Sequence, residues 1–273
     1  MPQRIPGRHF ARNLVARRTL IIQLVKRDFQ QRYVGSAAGW VWGLIHPLVL
    51  LASYVFIFSI CLEYKAGDTD VTRNYPMFLF AGMLPWLLFS ETVQRSSGCL
   101  VEQANLITKT VFPAEIVPVS IFLSSLMSHF LAVFLVIASA GIFLRHFNPV
   151  VVLLPVFMLL VGMLAIGIGW VAAALQVYLR DTAQVLTVLL TLWFWATPIL
   201  LPEEKLNEKL GNWALLLVRG NPLVYVVRGY RELLLGHSVA FEDVAWTAAF
   251  AVAAFVLGGL VFRYLKRGFA DVL

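Results

Sequence analysis

Five stretches of this chain run for 19 residues or more without an Asp, Glu, Lys or Arg: Trp40 to Leu62, Ile116 to Leu144, Phe147 to Leu179, Ala183 to Pro202 and Val244 to Phe262. A hydrocarbon layer about 30 Å thick is crossed by a helix of about 20 apolar residues, so each stretch is long enough to span a bilayer. None alternates apolar and polar positions as a β-barrel strand does. A sixth window, Pro76 to about Ser90, is apolar but contains Pro85 and runs into Glu91, Gln94 and Arg95. It reads as a span with a polar inner end. With 60% hydrophobic and 14% charged residues, the 273-residue chain has far more apolar surface than a soluble domain can bury, and too much to be disordered.

Charge chooses the orientation. With residues 1–39, 91–115, 180–182 and the C-terminus on one side, that side holds fourteen of the 22 Lys and Arg but only six of the 15 Asp and Glu. Basic segments stay cytoplasmic, so both termini are expected inside. The basic excess therefore reports orientation and requires no nucleic acid. One stretch is ambiguous. Asn212 to Val227 is mostly apolar but broken by Arg219, Gly220, Asn221 and Pro222. It reads as two short helices at the outer surface or as a re-entrant hairpin enclosed by other helices, because backbone groups freed by a break cannot face lipid. Six spans keep the termini together, whereas a seventh separates them. The basic region of 39 residues and the long first window do not fit a cleaved signal peptide. The two cysteines, Cys61 and Cys99, fall on opposite sides in this topology and cannot pair.

The chemistry that is missing narrows the function. There is no G-x-x-x-x-G-K-[ST] phosphate loop and no G-x-S-x-G, and the five histidines lie far apart without ligand spacing. An ion-coupled carrier usually keeps ionisable groups at mid-membrane. Here the main candidate is Glu91, with Arg95 one turn away, either as an ion pair at the inner interface or as a pair touching substrate. A membrane enzyme acting on lipid-linked sugars needs interfacial carboxylate or histidine clusters, and Asp28 and Asp181 stand alone.

Three segments carry other signals. Residues 20–34 wind into an amphipathic interfacial helix, with Ile21, Ile22, Leu24, Val25, Phe29 and Tyr33 on one face and Gln23, Lys26, Arg27, Gln30 and Gln31 on the other. Asp28 and Arg32 intrude on the apolar face, as a mutually satisfied pair or, for Arg27 and Arg32, as ligands of an anionic head group or pyrophosphate. Residues 99–115 read as a helix from Leu100 to Thr110 stopped at Phe112-Pro113. Leu106, Ile107, Val111 and Phe112 are expected bare there, either to dock a partner or to lie on the membrane. Trp193-Phe194-Trp195 lies mid-span, facing lipid or lining a conduit where flat rings stack on sugars.

In order along the chain come LVKRDFQQRY (24–33), GWVWGLIHPL (39–48), NLITKTVFPAEIVPV (105–119), YLRDTAQV (178–185), ATPIL (196–200) and NPLVYVVRGYRELLL (221–235). This series resembles the permease subunit of bacterial ABC transporters that export cell-surface polysaccharide, the Wzm-like O-antigen permeases with the related teichoic-acid and capsule exporters. One departure is His46 before Pro47, where related chains often carry Asn-Pro. The resemblance implies an all-α integral membrane fold of the type II ABC exporter permease. It would comprise a cytoplasmic segment 1–39 with its interfacial helix, a six-helix transmembrane domain 40–262, and a cytoplasmic tail 263–273. It implies a homodimer with two copies of a separate ABC ATPase, which binds the ATP and Mg, in the bacterial inner membrane. No cofactor is implied in this chain, and the cargo is a polyprenyl-pyrophosphate-linked glycan. Residues 99–113 would be the coupling helix, carried by Glu102, Asn105, Leu106, Ile107, Lys109, Phe112 and Pro113. Arg27, Asp28, Arg32 and Tyr33 would guard the lipid-pyrophosphate entrance. Tyr54, Phe58, Trp86, Phe89, Trp193 and Trp195 would line the conduit. Residues 203–235 would form outer gate helices with Arg219, Asn221, Pro222, Tyr230 and Arg231. A permease of the same fold for a drug or lipid remains the alternative.

Overall fold

A computed structural model of the chain describes residues 17–33, 39–61, 74–109, 112–144, 148–203, 218–236 and 238–272. The described residues are helical, without strands. In order they form α1 (Arg18–Tyr33), α2 (Trp42–Val55), α3 (Tyr75–Glu102), α4 (Ala104–Lys109), α5 (Ile116–Ser139), α6 (Leu154–Tyr178), α7 (Thr182–Ala196), α8 (Pro222–Leu235), α9 (Phe241–Leu265) and α10 (Phe269–Val272). A π-helical turn, Phe56–Cys61, extends α2, and another, Ala140–Leu144, extends α5. A short 3-10 turn, Pro149–Leu153, leads into α6, and Lys266–Gly268 links α9 to α10.

Four helical stretches are long and apolar enough to cross a membrane: Tyr75–Glu102, Ile116–Ile142, Pro149–Tyr178 and Phe241–Gly268. α7 is apolar but has only 15 residues. Its window extends to Pro202, yet the helix stops at Ala196. Pro198 drives the preceding Thr197 into an extended conformation, φ −100° and ψ 132°, and the chain cannot continue as helix.

α3 is the axle of the bundle. Asn74 opens it by accepting from the Met77 N–H, with Pro76 in the first turn, and it passes through Pro85 without ending. Its 28 residues make a rod about 42 Å long at 1.5 Å per residue. It packs against α5, α6 and α8 and is buried over most of its length. α6 in turn packs on α9. At that crossing the backbones touch: a Cβ on Gly258 would lie 2.1 Å from the Gly167 carbonyl oxygen, and one on Gly167 would lie 2.3 Å from the Ala254 oxygen. Small residues permit such approach where apolar side chains gain nothing by leaving lipid. The outward side of α9, with Val252, Val256, Leu257 and Leu260 exposed, suits hydrocarbon.

The stretch read as broken is broken. Residues 218–220 are helical, Asn221 is extended, and its Oδ1 accepts from the Leu223 N–H at 3.0 Å to start α8 at Pro222. Residues 204–217 and Val111 lie outside the described residues.

Candidate functional site

α1 packs on α5, and Asp28 and Arg32 reach from it to the side chains of α3. There they meet Glu91 and Arg95. Arg32 Nη1 lies 2.5 Å from Glu91 Oε1, and Arg32 Nη2 donates to Ser125 Oγ of α5 at 2.9 Å. Ser125 Oγ in turn donates to Glu91 Oε1 at 3.0 Å. Arg95 Nη2 closes the circuit on Asp28 Oδ1. The i, i+4 pairs expected within each helix are the longer contacts, 3.4 Å for Arg32–Asp28 and 3.8 Å for Arg95–Glu91. Two cations and two carboxylates therefore form one neutral cluster that ties α1 to α3 and α5. Long-range pairing of this kind has no signature in local spacing, which is why sequence reading missed it.

The cluster separates the expected entrance residues. Arg32 is committed to Glu91 and Ser125, whereas Arg27 is exposed on the other face of α1. Tyr33 ends the helix. Beside the cluster, Ile21 and Leu24 bury against Ile116, with Phe112 packed on them. Ile22, expected on the same apolar face, is 64% exposed. The apolar arc of α1 is wider than its seat on α5, which leaves Ile22 for lipid.

The segment after α3 differs from expectation in two ways. The rod continues to Glu102, turns at Gln103, and only then forms the six-residue α4. Ile107 and Phe112, expected bare, are partly buried against the core, and Pro113 is buried. α1 covers Phe112 and the C-terminal α10 packs on α4. Leu106 is half-buried, and Lys109 closes α4. The surface left open is Val101, Glu102, Asn105 and Thr108, a mixed stripe along one side of the turn.

The aromatics form a ladder between helices. Tyr54 stacks on Phe194 with centroids 6.1 Å apart, Phe194 meets Trp86 at 5.5 Å, and Phe89 meets Trp193 edge-on at 5.2 Å. Phe89 has no exposed surface and Trp86 is buried within the chain. Their side of α3 turns into the bundle towards α7. Trp195 is 64% exposed. Trp193 is half-buried and donates through Nε1 to Asn221 Oδ1 at 2.8 Å, while Asn221 Nδ2 donates to Thr197 Oγ1 at 2.9 Å. The side chain of Phe58 lies outside the described residues.

The gate residues divide likewise. Arg219 is exposed, but Tyr230 and Arg231 sit inside the bundle. The Arg231 guanidinium donates to the carbonyls of Phe78 (3.3 Å), Pro198 (3.0 Å) and Ile199 (2.6 Å) and lies 3.6 Å from the Phe78 ring centroid. It satisfies the carbonyls freed where the chain breaks after α7. Tyr230 Oη lies 3.1 Å from His129 Nε2. Sequence reading missed Arg228, which bridges Glu203 and Asp243. The Glu203 hydrogen bonds hold its guanidinium above its ordinary pKa. Among the described residues, no group of three or more His, Cys, Asp or Glu is placed to hold a metal ion.

A bundle of long apolar helices, with an amphipathic helix pinned across one end by paired charges and a short exposed turn at that same end, is the architecture of a multi-pass membrane protein. Residues 19–235 match the family model described as ABC-2 type transporter, and the chain belongs to that family. It is similar to the O-antigen export system permease protein RfbA of Myxococcus xanthus, 29% identical over 95% of this chain and 97% of the relative. It is also similar to RfbA of Klebsiella pneumoniae, 27% identical over 93% and 95% of the two chains. The polysialic acid transport protein KpsM of Escherichia coli is 23% identical over 88% and 91%.

Proposed function

We propose that this chain is the permease half of an ATP-driven exporter that moves a lipid-pyrophosphate-linked polysaccharide, of the O-antigen kind, out across the bacterial inner membrane. The observation that carries the reading is similarity over nearly the whole chain to permeases named for O-antigen export. α2, α3, α5, α6, α7 and α9 are the six spans, both termini are cytoplasmic, and two copies work with two copies of an ATPase. Residues 1–39, 40–262 and 263–273 are the entrance segment, transmembrane domain and tail.

In this reading ATP and Mg bind the partner ATPase, which fits the lack of a phosphate-loop motif in this sequence. The open stripe Val101, Glu102, Asn105 and Thr108 is the surface the ATPase holds, with Leu106, Ile107, Lys109, Phe112 and Pro113 fixing its pose. Because α3 runs unbroken from Tyr75 to Glu102, a push at α4 moves the whole rod. α1 follows through Asp28 and Arg32. Arg27, uncommitted to the cluster, meets the anionic head group at the entrance, with Tyr33 beside it. Trp195, with Tyr54 and Trp193 behind it, offers flat surface that a repetitive glycan slides past without a tight site. Arg219, Asn221 and Pro222 shape the outer turn that Tyr230 and Arg231 anchor.

Deletion of the gene in its host is the test. Loss of surface polysaccharide, accumulation of the lipid-linked glycan inside, and restoration by the plasmid-borne gene are expected. Unchanged surface polysaccharide overturns the reading. A teichoic-acid or capsule cargo shows as loss of that polymer instead, and a drug or lipid cargo as altered efflux with the surface intact.

A further inference from the structure

The last turns of the chain are folded onto the base of α4. Lys266 Nζ lies 2.5 Å from Glu115 Oε2, in the loop that joins α4 to α5. The Glu115 carbonyl is itself fixed, accepting from Trp170 Nε1 of α6 at 3.0 Å. Two turns further along α6, Tyr178 Oη donates to the Leu265 carbonyl at 2.7 Å. A Cβ on Gly268 would lie 2.5 Å from that same hydroxyl, so a larger residue there would have to push the Tyr178 ring end aside. Phe269 is 2% exposed, seated between Phe262 (5.6 Å) and Tyr178 (6.2 Å), and α10 touches α4. A basic tail attracted only to lipid head groups would leave Phe269 in the interface and Lys266 in water. Here both are consumed by contacts with the chain.

We propose that Lys266 and Phe269 are positioning residues for α4: the C-terminal segment braces the coupling turn through Glu115, so that force applied at Asn105 reaches α3 instead of being lost in a tilt of α4 about Gln103. The brace rests on reading α4 as the coupling helix, but its geometric core is independent of cargo. Its other holds include the Gln103 turn and the packing of Ile107 and Phe112 on the core.

The test uses full-length protein in nanodiscs with a nitroxide on Asn105→Cys, in a Cys61→Ser, Cys99→Ala background. Lys266→Ala is expected to raise label mobility, Lys266→Arg to leave it unchanged, and the double reversal Glu115→Lys with Lys266→Glu to restore order that either reversal alone loses. In cells, at matched membrane levels, Lys266→Ala should lower surface polysaccharide by about two- to five-fold, the scale of one part-exposed ion pair. Lys266→Arg should not. Phe269→Ala is the second handle and should loosen the same label. An immobile label in both Lys266→Ala and Phe269→Ala overturns the brace. A loosened label with full export leaves the contact but overturns its role in coupling. If gene deletion leaves surface polysaccharide intact, the export reading has failed, while the label still decides the brace.

Discussion

Arg32 and Glu91 meet at 2.5 Å between α1 and α3, and the same guanidinium reaches Ser125 on α5. One side chain thus fastens three helices. Its fork matters as well as its charge, because two nitrogens serve two acceptors at fixed angles. Arg32→Ala leaves Glu91 and Asp28 facing each other with one cation between them. For a cluster only partly open to water, a loss of about 1–3 kcal/mol is expected, between the exposed and the buried limits. The midpoint of thermal unfolding in detergent measures it. Arg32→Lys should recover less than half of the loss, and full recovery would show that charge alone suffices.

Arg231 is a harder case. Its guanidinium is shared by three backbone carbonyls and lies on the Phe78 ring. Arg231→Met keeps the volume but strands the Pro198 and Ile199 carbonyls away from water, where each orphaned group costs about 1–3 kcal/mol. The variant should lose most of its membrane-inserted, protease-resistant form. Lys cannot reach three carbonyls and stack at once, so Arg231→Lys should resemble Met rather than the parent protein. An immunoblot of protease-treated membranes distinguishes the outcomes.

The crossing of α6 and α9 predicts a steric effect independent of charge. Gly258→Val places a side chain into the Gly167 carbonyl. The helices must separate along their length, and overpacking in a fitted interface costs about 1–3 kcal/mol or more. Gly259, where a Cβ would lie 3.6 Å from Trp170, should accept Ala with little change. Comparing the two by size-exclusion profile and thermal midpoint tests the crossing directly.

These sites divide by how far apart their partners lie in the chain. Four of the expected spans were legible because an uncharged run announces itself whatever its period. α1 was legible because its two faces separate at 100° per residue. Spacing rules see only neighbours three or four residues away, so Asp28–Arg32 and Glu91–Arg95 were read as two local pairs. The structure keeps both and joins them by closer contacts, Arg32 with Glu91 and Arg95 with Asp28. Phe112 and Ile107 looked bare for the same reason: their cover comes from α1 and from the main bundle. The turn at Gln103 carried no signal, since neither Gly nor Pro marks it. The burial of Arg231 and its hold on the Pro198 and Ile199 carbonyls were not legible, because burial by distant helices cannot be read from a residue's own segment.

Trp193 offers a prediction that separates architecture from transport. Its Nε1 donates to Asn221 Oδ1, the same oxygen that caps α8 through the Leu223 N–H. Trp193→Phe keeps the edge-on contact with Phe89 but removes the donor. The cap survives, so the cost should be about 1 kcal/mol, that of one hydrogen bond. Asn221→Ala removes cap and acceptor together and should cost about twice that. Trp195, on the open side, contributes nothing to this network. Trp195→Ala should therefore leave the thermal midpoint within a degree or so, because surface changes away from such features are worth about 0.5 kcal/mol or less. If Trp195 lies along the path of the glycan, the same variant lowers surface polysaccharide at matched protein level. Normal surface polysaccharide in Trp195→Ala places that ring against lipid and leaves the glycan's path to be sought on another face of the bundle.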